Sequence, residues 1–336
     1  MRDTRRRWMT ILAVTVVLAI HPGIGSIHTG ATAGTMRNLE RDDVTFFVDP
    51  DSNASRQAEE WAGSRPDDAA LMERLGQQSQ ADWFGDWTAD PRGQIDARVS
   101  QIVDAGALPV LVFYTIPYRD CGLYSAGGAN DPQTYRAWIS EAAEGIGGRP
   151  AVVVLEPDAL AGMDCLTAEQ ETERYALLSF AVETLEAKPL VDVYVDAGNA
   201  TWHPATEIAR RLQLAGIGKA TGFSLNVSNF HTTDVTTAYG QGVSDALGAP
   251  NGTPFVIDSS RNGNGPWDEG DAEAWCNPPG RALGMPPTVE TADPLVDAYL
   301  WIKRPGESDG ECRDAPPAGQ WFSEYALELA RNAGWT

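Results

Sequence analysis

Histidine and basic residues are scarce in this 336-residue sequence, and their scarcity limits the chemistry open to it. Only four histidines occur, and two of them lie within the first 33 residues. A metal centre built mainly from imidazole ligands is therefore excluded. Lysine and arginine together number 25 against 47 acidic residues, which gives a formal net charge of −22. Such a charge makes nucleic acid and anionic membranes poor partners.

Several other signatures are missing. No phosphate-binding G-x-x-x-x-G-K-[ST] loop occurs. The oxygen-rich segment DSSRNGNGPWDEGD lacks the register of a calcium-binding loop, so we expect no metal and no cofactor. Cysteines number only four, at positions whose spacing fits no zinc site: Cys121, Cys165, Cys276 and Cys312. In an oxidising compartment this even number predicts two disulfides, with three possible connectivities.

The N-terminus has the pattern of a secretory signal peptide. A basic start, MRDTRRRW, precedes a 12-residue apolar run and the small-residue step Ala31-Thr32-Ala33. We expect cleavage after residue 33, and the arginines also fit a twin-arginine signal. An uncleaved anchor is the alternative, although the run is short for a membrane span. We predict a signal peptide over 1–33, a single catalytic domain over 34–336, and a secreted monomer without membrane contact.

The remaining chain alternates strand-like and helix-like segments. Helix boundaries are well marked. Asp131 is the N-cap of a helix that has Pro132 in its first turn and ends at Gly147, and Thr167 and Gln170 form a capping box. Alternating strands and helices predict a parallel sheet, and seven strands favour an α/β fold of the distorted β/α-barrel type, similar to a TIM barrel. An open, doubly wound sheet also fits the pattern. The predicted strands are 44–49, 109–116, 151–157, 190–198, 221–229, 254–260 and 297–303.

Polar side chains follow nearly every predicted strand. In parallel α/β folds this end of the sheet carries the ligand site. A single carboxylate at such a position is more often a cap or turn residue than a catalyst. A series of them needs cations, protons or hydroxyl-rich ligands to limit repulsion. The series comprises Asp49, Asp51, Tyr114, Asp120, Glu156, Asp158, Asp196, Asn226, Asn229, Asp258, Lys303, Glu307 and Asp309.

Glycoside hydrolysis is the chemistry that best fits many carboxylates and few other reactive groups. It requires one protonated carboxylic acid beside the leaving oxygen and a second group that activates water or stabilises charge. The chain also contains 11 tryptophans, several of them in polar, glycine-rich segments. Such tryptophans suit a cleft in which the apolar faces of sugar rings stack, although core packing is the usual role of any one of them.

Six segments of the sequence, in order, resemble glycoside hydrolase family 6, the secreted cellulases. They are YTIPYRDC, VVLEPDALA, VYVDAGNATW, GFSLNVSNF, AWCNPPGRALG and LWIKRPGESDG, and agreement is weaker at DWFGDW and in the final helix. The resemblance covers residues 109 to 310. The family fold is a distorted parallel β/α barrel of about seven strands, which agrees with the strand count.

The resemblance assigns roles to individual residues. Asp158 corresponds to the general acid, and Asp120 to the carboxylate that raises the pKa of the acid and helps to organise the catalytic water. Asp309 corresponds to a candidate base. Ser125 lies in a mobile loop whose serine holds the water chain. The remaining residues predicted to bind substrate are Trp83, Tyr114, Asp196, Asn199, Trp202, Asn226, Asn229, Arg261, Trp275, Lys303 and Glu307.

The resemblance also implies disulfides Cys121–Cys165 and Cys276–Cys312. Asn199 stands where many members have histidine, so sugar contacts there differ. The segment after Asp309 is too short for the long loop of members that thread a chain end through a tunnel. We therefore expect an open cleft and an inverting, internally cleaving β-1,4-glucanase that acts on cellulose or related β-glucans. The alternatives are an exo-acting cellobiohydrolase and a weakly catalytic glucan-binding or remodelling protein.

Overall fold

The computed structural model of the protein describes residues 36–267 and 270–335. The predicted signal peptide over 1–33 lies outside these residues. Seven parallel strands form one sheet in the order of the chain. The strands are β1 (Asp82–Gly85), β2 (Val110–Tyr114), β3 (Ala151–Leu155), β4 (Val191–Asp196), β5 (Gly222–Leu225), β6 (Phe255–Asp258) and β7 (Val296–Leu300).

Helices connect most of the strands and cover the outside of the sheet. They are α1 (Asn53–Trp61), α2 (Pro66–Gly76), α3 (Pro91–Asp104), α4 (Pro132–Ile146), α5 (Ala168–Glu186), α6 (Ala205–Leu214), α7 (Thr233–Leu247) and α8 (Ser323–Asn332). Short 3₁₀ turns lie at Asn38–Glu40, Asp120–Gly122, Ile217–Lys219 and Cys312–Asp314. The predicted boundaries of α4 and α5 are confirmed: the Asp131 side chain accepts from the Thr134 amide, and Thr167 and Gln170 form the capping box.

Alternate side chains of most strands point into two separate apolar cores. The inner core fills the curled sheet with β-branched residues such as Val112, Val154 and Val256. The outer core packs Phe113, Val153 and their equivalents against the helices. Burial on both faces explains why these strands appear in the sequence as continuous apolar runs.

The two edge strands meet at a seam that completes the curled sheet. The amide of Ala81, just before β1, donates to the carbonyl of Trp301, just after β7, over 3.0 Å. The indole of Trp83 donates to the Ile302 carbonyl over 2.8 Å. Arg304 spans the same gap, because it binds the carbonyl of Ala81 and the carboxylate of Asp82. Side chains thus supply most of the contacts that backbone pairing supplies elsewhere in the sheet.

The number of strands and their parallel order are as predicted, but the first strand is not the predicted one. Residues 44–49 do not join the sheet and make only a single bridge, from Phe46 to Leu108. The segment instead packs Val44 and Phe46 against the inner core. Its apolar alternation therefore reflects packing beneath the sheet, whereas the first strand is the short DWFG segment of β1.

Candidate active site

A cavity of about 1000 Å³ opens at the C-terminal ends of the strands. Eleven of the fifteen residues predicted to act in catalysis or substrate binding line it, although they come from loops far apart in the chain. They are Trp83, Tyr114, Asp120, Ser125, Asp158, Asn199, Trp202, Asn229, Trp275, Lys303 and Asp309. Non-glycine residues with positive φ concentrate in the same loops, including Asp120, Asp158 and Ser228. Such strained backbone is typical of functional sites.

Asp158 lies in an environment that favours its protonated form. Burial raises the pKa of its carboxyl well above the ordinary value, and the charges of Asp196 and Asp120 raise it further. Asp196 is buried beside it and accepts hydrogen bonds from the amides of Asp158 and Gly198 and from the Ser224 hydroxyl. No donor among the described residues reaches the Asp158 carboxyl. Burial also raises the pKa of Asp196, to about 7, but the hydrogen bonds that it accepts favour its charged form. Asp158, which has no such donors, is therefore the member of the pair that holds its proton more strongly.

Asp120 faces the cavity from the loop after β2. Burial raises the pKa of its carboxyl, while the Ser125 amide and the charge of Arg119 act in the opposite direction. The Ser125 amide donates to Oδ2 of Asp120 over 2.7 Å. The charge of Asp120 raises the pKa of Asp158 in the direction that the resemblance implies, but burial and the charge of Asp196, which lies against the Asp158 backbone, raise it as well.

Asp309 occupies the opposite kind of environment. Arg261 contacts its Oδ2 at 2.7 Å, and Nζ of Lys303 lies 3.4 Å from Oδ1. The Asn277 amide adds a further bond to Oδ2. Burial acts against the charged form, but Arg261 and Lys303 outweigh it and hold the pKa of Asp309 below its ordinary value. A carboxylate engaged in this way is a weak proton acceptor.

Three strand-end carboxylates lie beneath the cavity and bind backbone amides instead of facing substrate. Glu156 accepts from the amides of Thr115 and Ile116. Asp258 accepts from the amides of Ser228, Ser260 and Lys303. Asp196, which is 1% exposed, holds the Asp158 amide in the same manner. The carboxyl of Asp196 is enclosed and bonded to protein groups, which argues against the predicted contact with substrate.

Three further residues predicted to contact sugar do not line the cavity. Asn226 is fully buried, and its amide group bonds to the backbone of His231 and to the Asp258 carbonyl. Arg261 is fully buried beneath Asp309. Glu307 turns away towards Arg304, at 3.4 Å. Asn226 and Arg261 thus support residues of the site from behind, whereas Glu307 pairs with Arg304 at the seam. The position of a residue at the end of a strand does not by itself distinguish these roles from contact with substrate.

Aromatic side chains form the walls of the cavity. Trp83 meets Tyr114 edge to face, with ring centroids 5.4 Å apart. The Arg119 guanidinium lies against the Tyr114 ring, 4.4 Å from its centroid, which fixes the ring in place. Trp202 and Trp275 are 39% and 37% exposed, so their indole faces are accessible. The cavity can therefore hold a chain of flat, hydroxyl-rich rings.

Arg174 is a component of the site that sequence reasoning missed. Its guanidinium, 3% exposed, donates to the carbonyls of Pro117 and Tyr118 in the loop that carries Asp120. It also donates to the carbonyl of Ala159, next to Asp158. The side chain thus joins the two loops that carry these carboxylates. No signal identified it in advance, because it lies in the middle of α5.

Both predicted disulfides are confirmed, as Cys121–Cys165 and Cys276–Cys312. The first joins the loops of Asp120 and Asp158, and the second lies beside Asp309. A contact also crosses the cleft between the two sides. The Tyr124 hydroxyl donates to Oε1 of Glu273 over 3.0 Å, and its ring lies 6.0 Å from that of Trp275. Gly310 leaves room for this ring, because a side chain there would collide with it.

The described residues contain no group of three histidine, cysteine, aspartate or glutamate side chains arranged to hold a metal ion. Nor does any helix in residues 36–267 and 270–335 have the length and apolar character needed to cross a membrane. The absence of a metal and a cofactor stays a prediction.

Curated proteins resemble this chain over most of its length. Endoglucanase A of Cellulomonas fimi is 44% identical over 293 residues, which cover 86% of this chain and 62% of that protein. This chain therefore spans less than two thirds of that relative. Endoglucanase 1 of Streptomyces halstedii is also 44% identical over 293 residues, covering 84% of this chain and 88% of that protein.

A solved structure and a family model agree with these relatives. The endoglucanase Cel6 from Mycobacterium tuberculosis, in complex with methyl-cellobiosyl-4-deoxy-4-thio-β-D-cellobioside, gives a TM-score of 0.83 at 46% identity. The match covers 88% of this chain and 99% of that one. The model of glycosyl hydrolases family 6 matches residues 41–333, which include every strand and the whole cavity. The chain therefore belongs to glycosyl hydrolases family 6.

Proposed function

We propose that this protein is an inverting endo-β-1,4-glucanase that hydrolyses cellulose or related β-glucans, with Asp158 as the general acid. The observation that carries the proposal is the raised pKa of Asp158 in a cavity walled by tryptophans. A carboxyl that stays neutral at working pH can donate its proton to the glycosidic oxygen as the bond breaks. The endoglucanase names of the two curated relatives and of the M. tuberculosis neighbour support the same activity.

The remaining groups fit an inverting reaction. Water attacks the anomeric carbon from the face opposite the acid and yields the α-anomer from a β-linkage. In this proposal Asp120, on the neighbouring loop, orients the water and accepts its proton. Asp309 is a poorer candidate for the base, because Arg261 and Lys303 stabilise its charged form. Its ion pairs suit it to hold Lys303 at the cavity wall.

The stereochemistry of the first product tests this mechanism. Proton NMR of a fresh digest of cellopentaose should show the α-anomer before mutarotation. An initial β-anomer would refute inversion, and no hydrolysis of carboxymethyl-cellulose, mixed-linkage glucan or crystalline cellulose would refute the enzyme function.

We also propose internal attack in place of chain-end attack. In the part of the chain that the structure describes, Tyr124 closes the cleft by contacts to Glu273 and Trp275. These side chains are exposed or partly exposed, so a glucan chain can displace them. The viscosity of carboxymethyl-cellulose should therefore fall well before much reducing sugar appears. A slow, parallel change of both quantities would favour the exo-acting alternative.

We propose that the protein acts outside the cell as a monomer. The two disulfides support export, since such bonds persist in oxidising compartments. Mass spectrometry of protein from the culture medium should give an N-terminus near residue 34, and light scattering should give the mass of one chain.

A further inference from the structure

His231 lines the active-site cavity, yet neither the proposed chemistry nor the sequence interpretation gives it a role. It follows β5 and lies just before α7, and only 8% of its surface is exposed. It is one of two histidines in the described residues, in a chain that uses this residue rarely.

The backbone of His231 is held by buried polar side chains. Its amide donates to Oδ1 of Asn226 over 3.1 Å, and its carbonyl accepts from Nδ2 of the same residue over 3.2 Å. Asn262 donates to that carbonyl as well, at 3.2 Å, and the Thr236 hydroxyl at 3.3 Å. The position of the imidazole is therefore fixed before any ligand arrives, which lowers the entropic cost of binding.

Hydrogen bonding also assigns the protons of the ring. Oδ1 of Asn199 can only accept, and it lies 3.1 Å from both the amide and the hydroxyl of Thr201. The Thr201 hydroxyl therefore donates to Asn199 and accepts from Nε2–H of His231, at 3.1 Å. In the neutral ring this leaves Nδ1 as an acceptor, with no partner within residues 36–267 and 270–335. Burial lowers the pKa of the ring, which favours this neutral form.

We infer that His231 is a substrate-binding residue whose Nδ1 accepts a hydrogen bond from a hydroxyl of the glucose unit beside Trp202. This inference rests on the proposed function. Asn199, Thr201 and Trp202 line the same wall of the cavity as His231. A glucose unit that stacks on the Trp202 indole therefore has its hydroxyl groups close to the His231 imidazole. Glucose hydroxyls are good donors, and an unpaired acceptor in a partly dehydrated site discriminates against sugars that lack the matching group.

Two substitutions separate this role from simple support of Thr201. In His231→Asn the amide reaches the position of Nδ1 and loses the bond to Thr201. In His231→Gln the amide reaches the position of Nε2, keeps that bond and loses the acceptor. Binding of cellopentaose is measured by calorimetry in the Asp158→Asn background, so the readout needs no turnover. Failure of the proposed function would appear separately, as absence of hydrolysis by the unsubstituted chain.

We expect His231→Gln to weaken binding by about three- to tenfold, the effect of one neutral hydrogen bond, and His231→Asn to change it less than twofold. The reverse order, equal losses in both, or no loss in either would overturn the inference. Thr201→Val, which removes the tether and keeps the ring, provides a further measurement if either variant does not fold. It should weaken binding less than His231→Gln does, and an equal or larger loss would show that the tether alone matters.

Discussion

Asp158 and Asp309 line the same cavity, yet their surroundings shift the two pKa values in opposite directions. Asp158 is buried beside the carboxylates of Asp196 and Asp120, and no cation among the described residues contacts it. Asp309 is more enclosed than Asp158 but contacts Arg261 and Lys303. Burial therefore does not by itself decide whether a carboxyl is neutral. The neighbouring charges decide it, so Asp158 is a neutral acid and Asp309 is an anion.

The largest expected effect is the loss of activity when the general acid, Asp158, is replaced. Asp158→Asn should lower kcat on unactivated β-glucan by about 10²- to 10⁴-fold, because general acid catalysis contributes about that much. The melting temperature should barely change, since the neutral amide replaces a carboxyl that is already neutral. Kinetics on cellopentaose and on an aryl cellobioside should show a smaller loss for the activated leaving group.

Asp164→Asn is the matched control, because this carboxylate lines the same cavity but is exposed. It should retain nearly full activity. An Asp158→Asn enzyme that is fully active on unactivated glucan would remove Asp158 from the acid role.

At Asp309, replacement of the carboxylate by an amide should lower the free energy of unfolding. Asp309→Asn leaves the fully buried Arg261 without its carboxylate, which should cost about 3 to 5 kcal/mol of unfolding free energy. Urea denaturation of Asp309→Asn beside Asp158→Asn measures the difference. Asp314→Asn, at an exposed position nearby, is the control. Equal stability of the Asp309 and Asp158 variants would contradict the assignment of charges.

A disulfide also lies beside each of these two carboxyls. Removing Cys276–Cys312 by serine substitution opens a 36-residue loop beside Asp309 and should cost about 2 to 4 kcal/mol. The Cys121–Cys165 pair, with a separation of 44, should cost about as much but loosen Asp120 and Asp158 instead. Urea denaturation of each double-serine variant gives the costs. Thiol titration of the native protein should find no reactive thiols, and four would disprove the pairing.

The smallest expected effect is a shift of the pH profile, measured on the activity that remains in Asp120→Asn after the loss of the group that accepts the proton of the water. Asp120→Asn removes a negative charge that raises the pKa of Asp158, so that pKa should fall. The acid then loses its proton at lower pH, and the alkaline limb of kcat/KM should move to lower pH. Asp164→Asn should leave the limb in place. A limb that stays fixed or moves upward in Asp120→Asn would mean that Asp120 does not act on the acid.

The sequence predicted the fold better than the direction of individual side chains. Continuous apolar runs and strong caps identified six of the seven strands and both marked helices. The first strand was missed because DWFG is only four residues long, whereas 44–49 has a strand-like pattern and merely packs beneath the sheet.

For the carboxylates the missing information was the distance from the strand end. Asp196 and Asp258 are the last residues of their strands and point into the protein, whereas Asp158 comes three residues after Leu155 and faces the cavity. Arg174 and His231 were missed for another reason, because their roles depend on contacts between loops that lie far apart in the sequence.

The amide-binding carboxylates beneath the cavity have a consequence for engineering. Glu156, Asp196 and Asp258 hold the first residues of the loops after β2, β3, β5 and β7. They do so through backbone amides, which every residue except proline possesses. The outer parts of these loops can therefore be exchanged for foreign sequence while their starting points stay anchored. The scaffold separates the residues that hold a loop from those that choose the sugar, which makes the C-terminal face a natural place to graft new substrate preferences.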